Sequence, residues 1–207
     1  MLIREVQLAD AELLQRLISG VESSSDYMLF ESGERTISVE QLKARISSIE
    51  TDSQSEIFMA EMDSELLGYL MAIGGNSRRT LHTVYLVIGI SANSRGKGIG
   101  TQLFKYLEKW AYEHKIHRME LTVAKPNDAG IRLYKKMQFE IEGIKRNSLY
   151  IDGEYIDEYY MSKFYEMRKV EQVGCHDCVS WFISRLGNSF HQGKGRLLNC
   201  RIQYDGT

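Results

Sequence analysis

Along the first 165 positions the spacing of apolar residues alternates between the strand period and the helix period, and each switch marks an element. "LIREVQ" (2–7) reads as a strand, and "ADAELLQRLISGV" (9–21) as a helix with Leu13, Leu14, Leu17 and Ile18 turned inward. Ser38 stands three residues before Gln41, a capping-box spacing, so a second helix is expected through "SVEQLKARISSI". "SEIFMAEMDSELLGYLMAI" predicts two strands turning at "MDSE". "LHTVYLVIGIS" (81–91) is β-branched and aromatic, with the length of a buried strand. Ile99, Leu103, Leu107 and Trp110 or Ala111 then recur on one helical face. A strand "HRMELTV", a short helix from Asn127, and two strands joined at "DGE" complete the pattern. Strands separated by helices in the middle, with hairpins to either side, predict an α/β (α+β) fold: a mixed, mostly antiparallel sheet flanked by helices.

Composition narrows the class. The chain has 207 residues, 43% hydrophobic and 26% charged, which is globular rather than disordered. A formal net charge of -2 gives no sign of nucleic-acid or anionic-membrane attraction. No apolar run approaches a membrane span, and "MLIREVQLADAELL" carries acids where a secretory leader wants a basic start. A cytoplasmic protein is expected, and a homodimer is left open.

Candidate chemistry begins at "SRGKGIG" (94–100), three glycines in five residues between a predicted strand and a predicted helix. Glycines so clustered imply positive φ angles or close approach to the backbone. The helix start offers unpaired N–H groups and the positive end of the macrodipole, which suits a phosphate, and Arg95 and Lys97 add charge. A nucleotide P-loop does not fit, because Lys97 is followed by Gly98 rather than a hydroxyl residue, and G-x-G-x-G is not the dinucleotide fingerprint. A glycine-rich turn without a ligand is the alternative.

A second unit, "LTVAKPNDAGIRLYKKMQFEIEG", follows about thirty residues on. Arg95-x-x-Gly98-x-Gly100 after a strand, then Asn127-x-x-x-Ile131-x-Leu133-Tyr134 and Phe139-Glu140, resembles the two central motifs of the GCN5-related N-acetyltransferases. The resemblance covers roughly residues 1 to 165. Gly130 stands where that family usually has Ala, and Gln138 where it has Gly.

The resemblance implies an acyltransferase using acetyl-coenzyme A as co-substrate. Its pyrophosphate would lie on the backbone of Arg95, Gly96, Lys97, Gly98, Ile99, Gly100 and Thr101, with Asn127 near the cofactor arm. It implies the backbone N–H of Ile90, with Ser91, as oxyanion donor. It places the Tyr134 hydroxyl beside the leaving sulfur, where a phenol of pKa near 10 can protonate a thiolate. The acceptor is then a primary amine (a small amine, a polyamine or a protein N-terminus) attacked directly in a ternary complex. A non-catalytic acyl-coenzyme A sensor is the alternative.

The general base is less marked. No acid lies between Thr80 and Ile90, which leaves His82 as one candidate and Glu120, on the strand face opposite Met119, Leu121 and Val123, as a second. Asp157, Glu158, Tyr159 and Tyr160, with Glu31 and Glu34, are candidates for meeting a cationic amine.

Residues 166–207 read as a C-terminal extension, loosely ordered or not part of the native design. They hold all three cysteines, 175, 178 and 200, at spacings that match no common zinc module, so no metal is expected.

Overall fold

The computed structural model describes residues 1–165 apart from positions 36, 52 and 53; the extension and its cysteines lie outside the described residues. Seven strands form one sheet in the order β1-β2-β3-β4-β5-β7-β6. They are β1 (Leu2–Glu5), β2 (Glu56–Met62), β3 (Glu65–Gly74), β4 (Thr83–Ile90), β5 (Arg118–Ala124), β6 (Glu140–Ile151) and β7 (Glu154–Phe164). All neighbours pair antiparallel except β4 and β5, which are parallel. Four helices cover it: α1 (Ala11–Glu22), α2 (Val39–Thr51), α3 (Ile99–Glu113) and α4 (Asp128–Lys136).

The local signals explain the boundaries. The Ser38 amide donates to Gln41 Oε1 at 2.9 Å while the Gln41 amide donates to Ser38 Oγ at 3.1 Å, so the capping box forms at the start of α2. Asp63-Ser64 and Asp152-Gly153 carry paired positive φ angles, as two-residue hairpin turns require. The Asn127 side chain accepts from the Gly130 amide at 2.9 Å and caps α4.

Two cores result, one on each face of the sheet. Leu103, Phe104 and Leu107 of α3, with Tyr134 of α4, cover Phe58, Leu70, Leu86, Leu121 and Met161 on one side. On the other, Leu14, Ile18, Val21, Leu42 and Ile46 of α1 and α2 pack on Ile57, Met59, Tyr69 and Met71. Leu13, expected to face inward, is 44% exposed. The inward stripe of α1 is Ala11, Leu14, Leu17, Ile18, Val21 and Glu22, so of the four residues expected inward only Leu13 lies off that face. The stripe therefore ends on an acid.

Candidate active site

Strands β4 and β5 pair only through Thr83–Tyr85 and Arg118–Glu120, then part. Their far halves, Leu86–Ile90 and Leu121–Ala124, leave a gap in the middle of the sheet. A hydrogen bond of 2.9 Å between the Tyr85 hydroxyl and Thr122 Oγ1 bridges the strands where they begin to diverge.

Backbone polarity along that gap follows from the antiparallel alternation of β3 and β4. The Ser91 amide donates to the Leu67 carbonyl at 2.9 Å, so the amide of Ile90 points the other way, toward the gap. Of the two oxyanion donors expected, Ile90 has a free direction and Ser91 is committed to the sheet. The cause is the two-residue period of the ladder.

The glycine loop leaves the same end of β4. Gly96 and Gly98 have φ of +76° and +81°, and a Cβ at either would meet nothing within 4 Å. Their requirement is conformational, and the space above them is open. Gly98 stands at the N-cap of α3 with no side-chain cap, and the first helical bond runs from Gln102 to the Gly98 carbonyl at 3.2 Å. The amides of Ile99, Gly100 and Thr101 thus precede the hydrogen-bond ladder of α3. Exposed Lys97 lies beside them. This surface fits a pyrophosphate: unpaired amides, a helix N-terminus and no side chain in the way.

Gly100 differs from its neighbours. A Cβ there would fall 2.7 Å from Leu133 Cδ2, so its bareness serves the approach of α3 to α4. Arg95 differs too. Its guanidinium donates to the Ser24 carbonyl at 2.9 Å, to Ser24 Oγ at 3.0 Å and to the Ile90 carbonyl at 3.3 Å. The side chain expected to add charge to the cofactor loop instead ties the end of β4 to the residues just past α1.

Tyr134 comes from α4 on the opposite side of the gap. It is buried against Phe104 and Phe139, with ring centroids 5.9 and 6.2 Å away. Its hydroxyl has no hydrogen-bond partner among the described residues, while burial, and then the nearby Tyr85 phenol, push its pKa above the usual tyrosine value. Such a phenol stays protonated at neutral pH and so has a proton to give.

The geometry brings neither expected base to this point. His82 precedes β4, roughly 25 Å along the strand from Ile90 at the usual rise per residue. Glu120 sits in the last paired position, and its Oε2 accepts from Arg118 Nε at 2.7 Å. The acids expected to meet a cation are also largely engaged. Asp157 is paired with Lys125 at 2.7 Å, Glu158 with Lys145 at 3.0 Å, and Glu34 accepts the Glu31 amide at 2.9 Å.

Sequence reasoning missed two residues beside the gap. Tyr69 of β3 lies opposite Gly89 of β4, and a Cβ on Gly89 would come within 2.5 Å of the Tyr69 ring and 2.8 Å of its hydroxyl oxygen. The ring therefore crosses β4 where only glycine allows it. Glu22, 6% exposed, ends the inward stripe of α1. Its position four residues after Ile18 on an apolar face was the available signal.

The model of the Acetyltransferase (GNAT) family matches residues 22–139, more than half of the chain. The chain belongs to the GNAT acetyltransferase family. Curated GNAT relatives include the L-amino acid N-acetyltransferase AaaT of Escherichia coli, 29% identical over 109 residues, which are 51% of this chain and 65% of that protein. Another is the E. coli spermidine N(1)-acetyltransferase, 26% identical over 105 residues, 50% of this chain and 55% of the relative. The chain thus spans less than two thirds of the length of these relatives. A GNAT acetyltransferase structure from Streptococcus pneumoniae superposes with a TM-score of 0.76 at 26% identity, covering 79% of this chain and 98% of that one. The yncA structure of Salmonella typhimurium, solved with its cofactor acetyl-CoA, has the same fold, with a TM-score of 0.72 at 19% identity over 79% of this chain and 93% of that one. Among the described residues no cluster of His, Cys, Asp or Glu could hold a metal ion, and no helix is long and apolar enough to cross a membrane.

Proposed function

We propose that this chain is an N-acetyltransferase that moves the acetyl group of acetyl-coenzyme A to a primary amine by direct attack in a ternary complex. The observation that carries the reading is the meeting, at one end of β4, of a strand edge without a neighbour and a helix start without a cap. A strand edge can hold an extended amide-bearing arm by backbone hydrogen bonds, and the helix start can hold its phosphates.

On this reading the amides from Gly96 to Thr101 bind the pyrophosphate, aided by Lys97. The Ile90 amide takes the developing oxyanion, a donor fixed in place before reaction. Tyr134 gives its hydroxyl proton to the departing thiolate. Asn127 keeps its structural cap while its NH₂ group remains free for the cofactor arm. Residues 1–165 carry this chemistry, in a cytoplasmic setting, and the extension from 166 is dispensable to it.

A panel of L-amino acids, polyamines, small amines and peptide N-termini, assayed for thiol release from acetyl-coenzyme A, tests the reading. Release stimulated by one class identifies the acceptor. Tight cofactor binding with no stimulated release by any amine would refute the transferase in favour of a sensor.

A further inference from the structure

Glu22 is a buried carboxylate that the reading above leaves without work. It is 6% exposed, at the end of the inward face of α1. Both Nε and Nη2 of Arg35 donate to the same oxygen, Oε1, the former at 3.0 Å and the latter at 2.5 Å. Its second oxygen, Oε2, has no hydrogen-bond partner among the described residues. The guanidinium thus holds Oε1, and Oε2 is the oxygen left to accept a proton.

Where that oxygen lies follows from Tyr69. The Tyr69 ring crosses β4 at Gly89, next to Ile90, on the α1/α2 face of the sheet. The end of α1 is held at the same place, because Arg95 donates to the Ser24 carbonyl at 2.9 Å and to the Ile90 carbonyl at 3.3 Å, and burial and then the charge of Glu22 raise the Tyr69 phenol. Glu22 therefore stands on one face of the sheet beside the end of β4, and Tyr134 on the other. Attack on a thioester has this polarity: the nucleophile loses its proton on one side and the leaving group gains one on the other.

We propose that Glu22 is the general base, taking the proton of the acceptor ammonium on Oε2 while the Tyr69 hydroxyl positions the nitrogen. This rests on the transferase reading above. The ammonium gives one proton to Oε2, which passes it to water. The neutral nitrogen forms the C–N bond as the carbonyl π pair moves to the oxygen held by the Ile90 amide. The C–S bond then breaks, the sulfur takes the Tyr134 proton, and the nitrogen gives its second proton to Oε2. Glu22 passes this second proton to water too, and Tyr134 regains one from water, so one proton is released overall. The acceptor class is an amine that arrives charged, with a pKa well above neutrality.

The test is Glu22→Gln, which keeps an oxygen for Arg35, assayed with an alkylamine acceptor found from the panel. Acetyl-coenzyme A affinity should be unchanged, while kcat/KM at pH 7 falls roughly 10²- to 10⁴-fold. The deficit should shrink as pH rises toward the amine's own pKa near 10, because the substrate then arrives already deprotonated. A purely structural ion pair would give a deficit independent of pH. A wild-type enzyme that acetylates the amine, with a variant whose profile runs parallel to it or lies within a few-fold, would overturn the base and leave the transferase standing. A wild-type chain inactive on every amine would overturn both. If Glu22→Gln alone does not fold, Glu22→Gln with Arg35→Met removes both partners of the buried pair, and the same pH-dependent deficit is expected.

Discussion

The Phe139 amide donates to the Tyr134 carbonyl at 2.9 Å while the two rings lie 6.2 Å apart. With the Gln138 amide on the Lys135 carbonyl at 3.0 Å, these bonds form a Schellman motif closing α4. The motif holds the backbone of the residue proposed to donate the proton, and its ring packs on the residue that ends the helix. Its left-handed position is Gln138, at φ +66°. Glycine is the usual occupant of such a site, which gives a physical meaning to the sequence's departure from the family pattern.

Gln138→Gly should therefore stabilise the protein. Relief of a left-handed non-glycine residue is worth about 1–2 kcal/mol, less about 0.5–1 kcal/mol for the added freedom of the unfolded chain. Urea unfolding should show a higher midpoint with an unchanged slope. A lower midpoint would mean that the Gln138 side chain contributes more than its backbone costs.

Tyr134→Phe keeps the ring contacts with Phe104 and Phe139 and removes a hydroxyl that bonds to nothing among the described residues. Stability and acetyl-coenzyme A affinity should hardly change. Turnover should fall roughly 10²- to 10⁴-fold, the range for a lost general acid. Calorimetric affinity, melting temperature and turnover on one preparation separate the outcomes. Full turnover with chemistry rate-limiting would remove Tyr134 from the mechanism.

Much of this fold was legible because its elements are strongly periodic. The stripe from Ile99 to Ala111, the Ser38–Gln41 box and the Asp152-Gly153 turn are local signals, and local chemistry decided them. The site was legible only in its backbone parts. Glycines mark where the chain must turn, but they do not say why: Gly98 needs its φ, whereas Gly100 yields to Leu133 from a helix thirty residues away. Likewise nothing local tells that Arg95 reaches Ser24, that Glu120 is held by Arg118, or that Tyr69 lies across Gly89. Those facts depend on which strands become neighbours, and composition and period are silent on that. Leu13, counted with the inward residues Leu14, Leu17 and Ile18 although it is exposed, shows the same limit, since the edge of a helix face is fixed by packing against the sheet.

Acid stability should depend on the Arg118 cluster. The Arg118 hydrogen bonds hold the Glu142 carboxyl at about 2, below its ordinary 4.5. A carboxylate depressed in the folded state contributes stability that is present above the unfolded value. That stability is lost as pH falls through the folded one, here from about 4.5 to about 2. Glu142 is partly exposed, so solvent screening keeps the contribution modest. Glu142→Gln should lower stability at pH 7 and flatten the dependence between these values. An acid limb as steep as in the parent would show that other carboxylates control it.

The two glycines before α3 should separate by experiment. A side chain at Gly98 meets no atom, so Gly98→Ala costs only its left-handed backbone, about 1–2 kcal/mol, and the fold survives. The loop would relax toward negative φ, turning its amides from the pyrophosphate, and acetyl-coenzyme A affinity should fall at least tenfold. Gly100 lies within α3 at ordinary helical φ, so Gly100→Ala brings no such strain and even gains helix propensity. Its methyl group instead pushes Leu133, the neighbour of Tyr134, at a cost of about 1–3 kcal/mol for an overpacked contact. The Gly100 variant should therefore lose stability and turnover with a smaller change in cofactor affinity. Calorimetric titration of both variants with acetyl-coenzyme A, beside their melting temperatures, makes the comparison. An affinity loss larger at Gly100 than at Gly98 would mean that the ligand, and not Leu133, fills the space above Gly100.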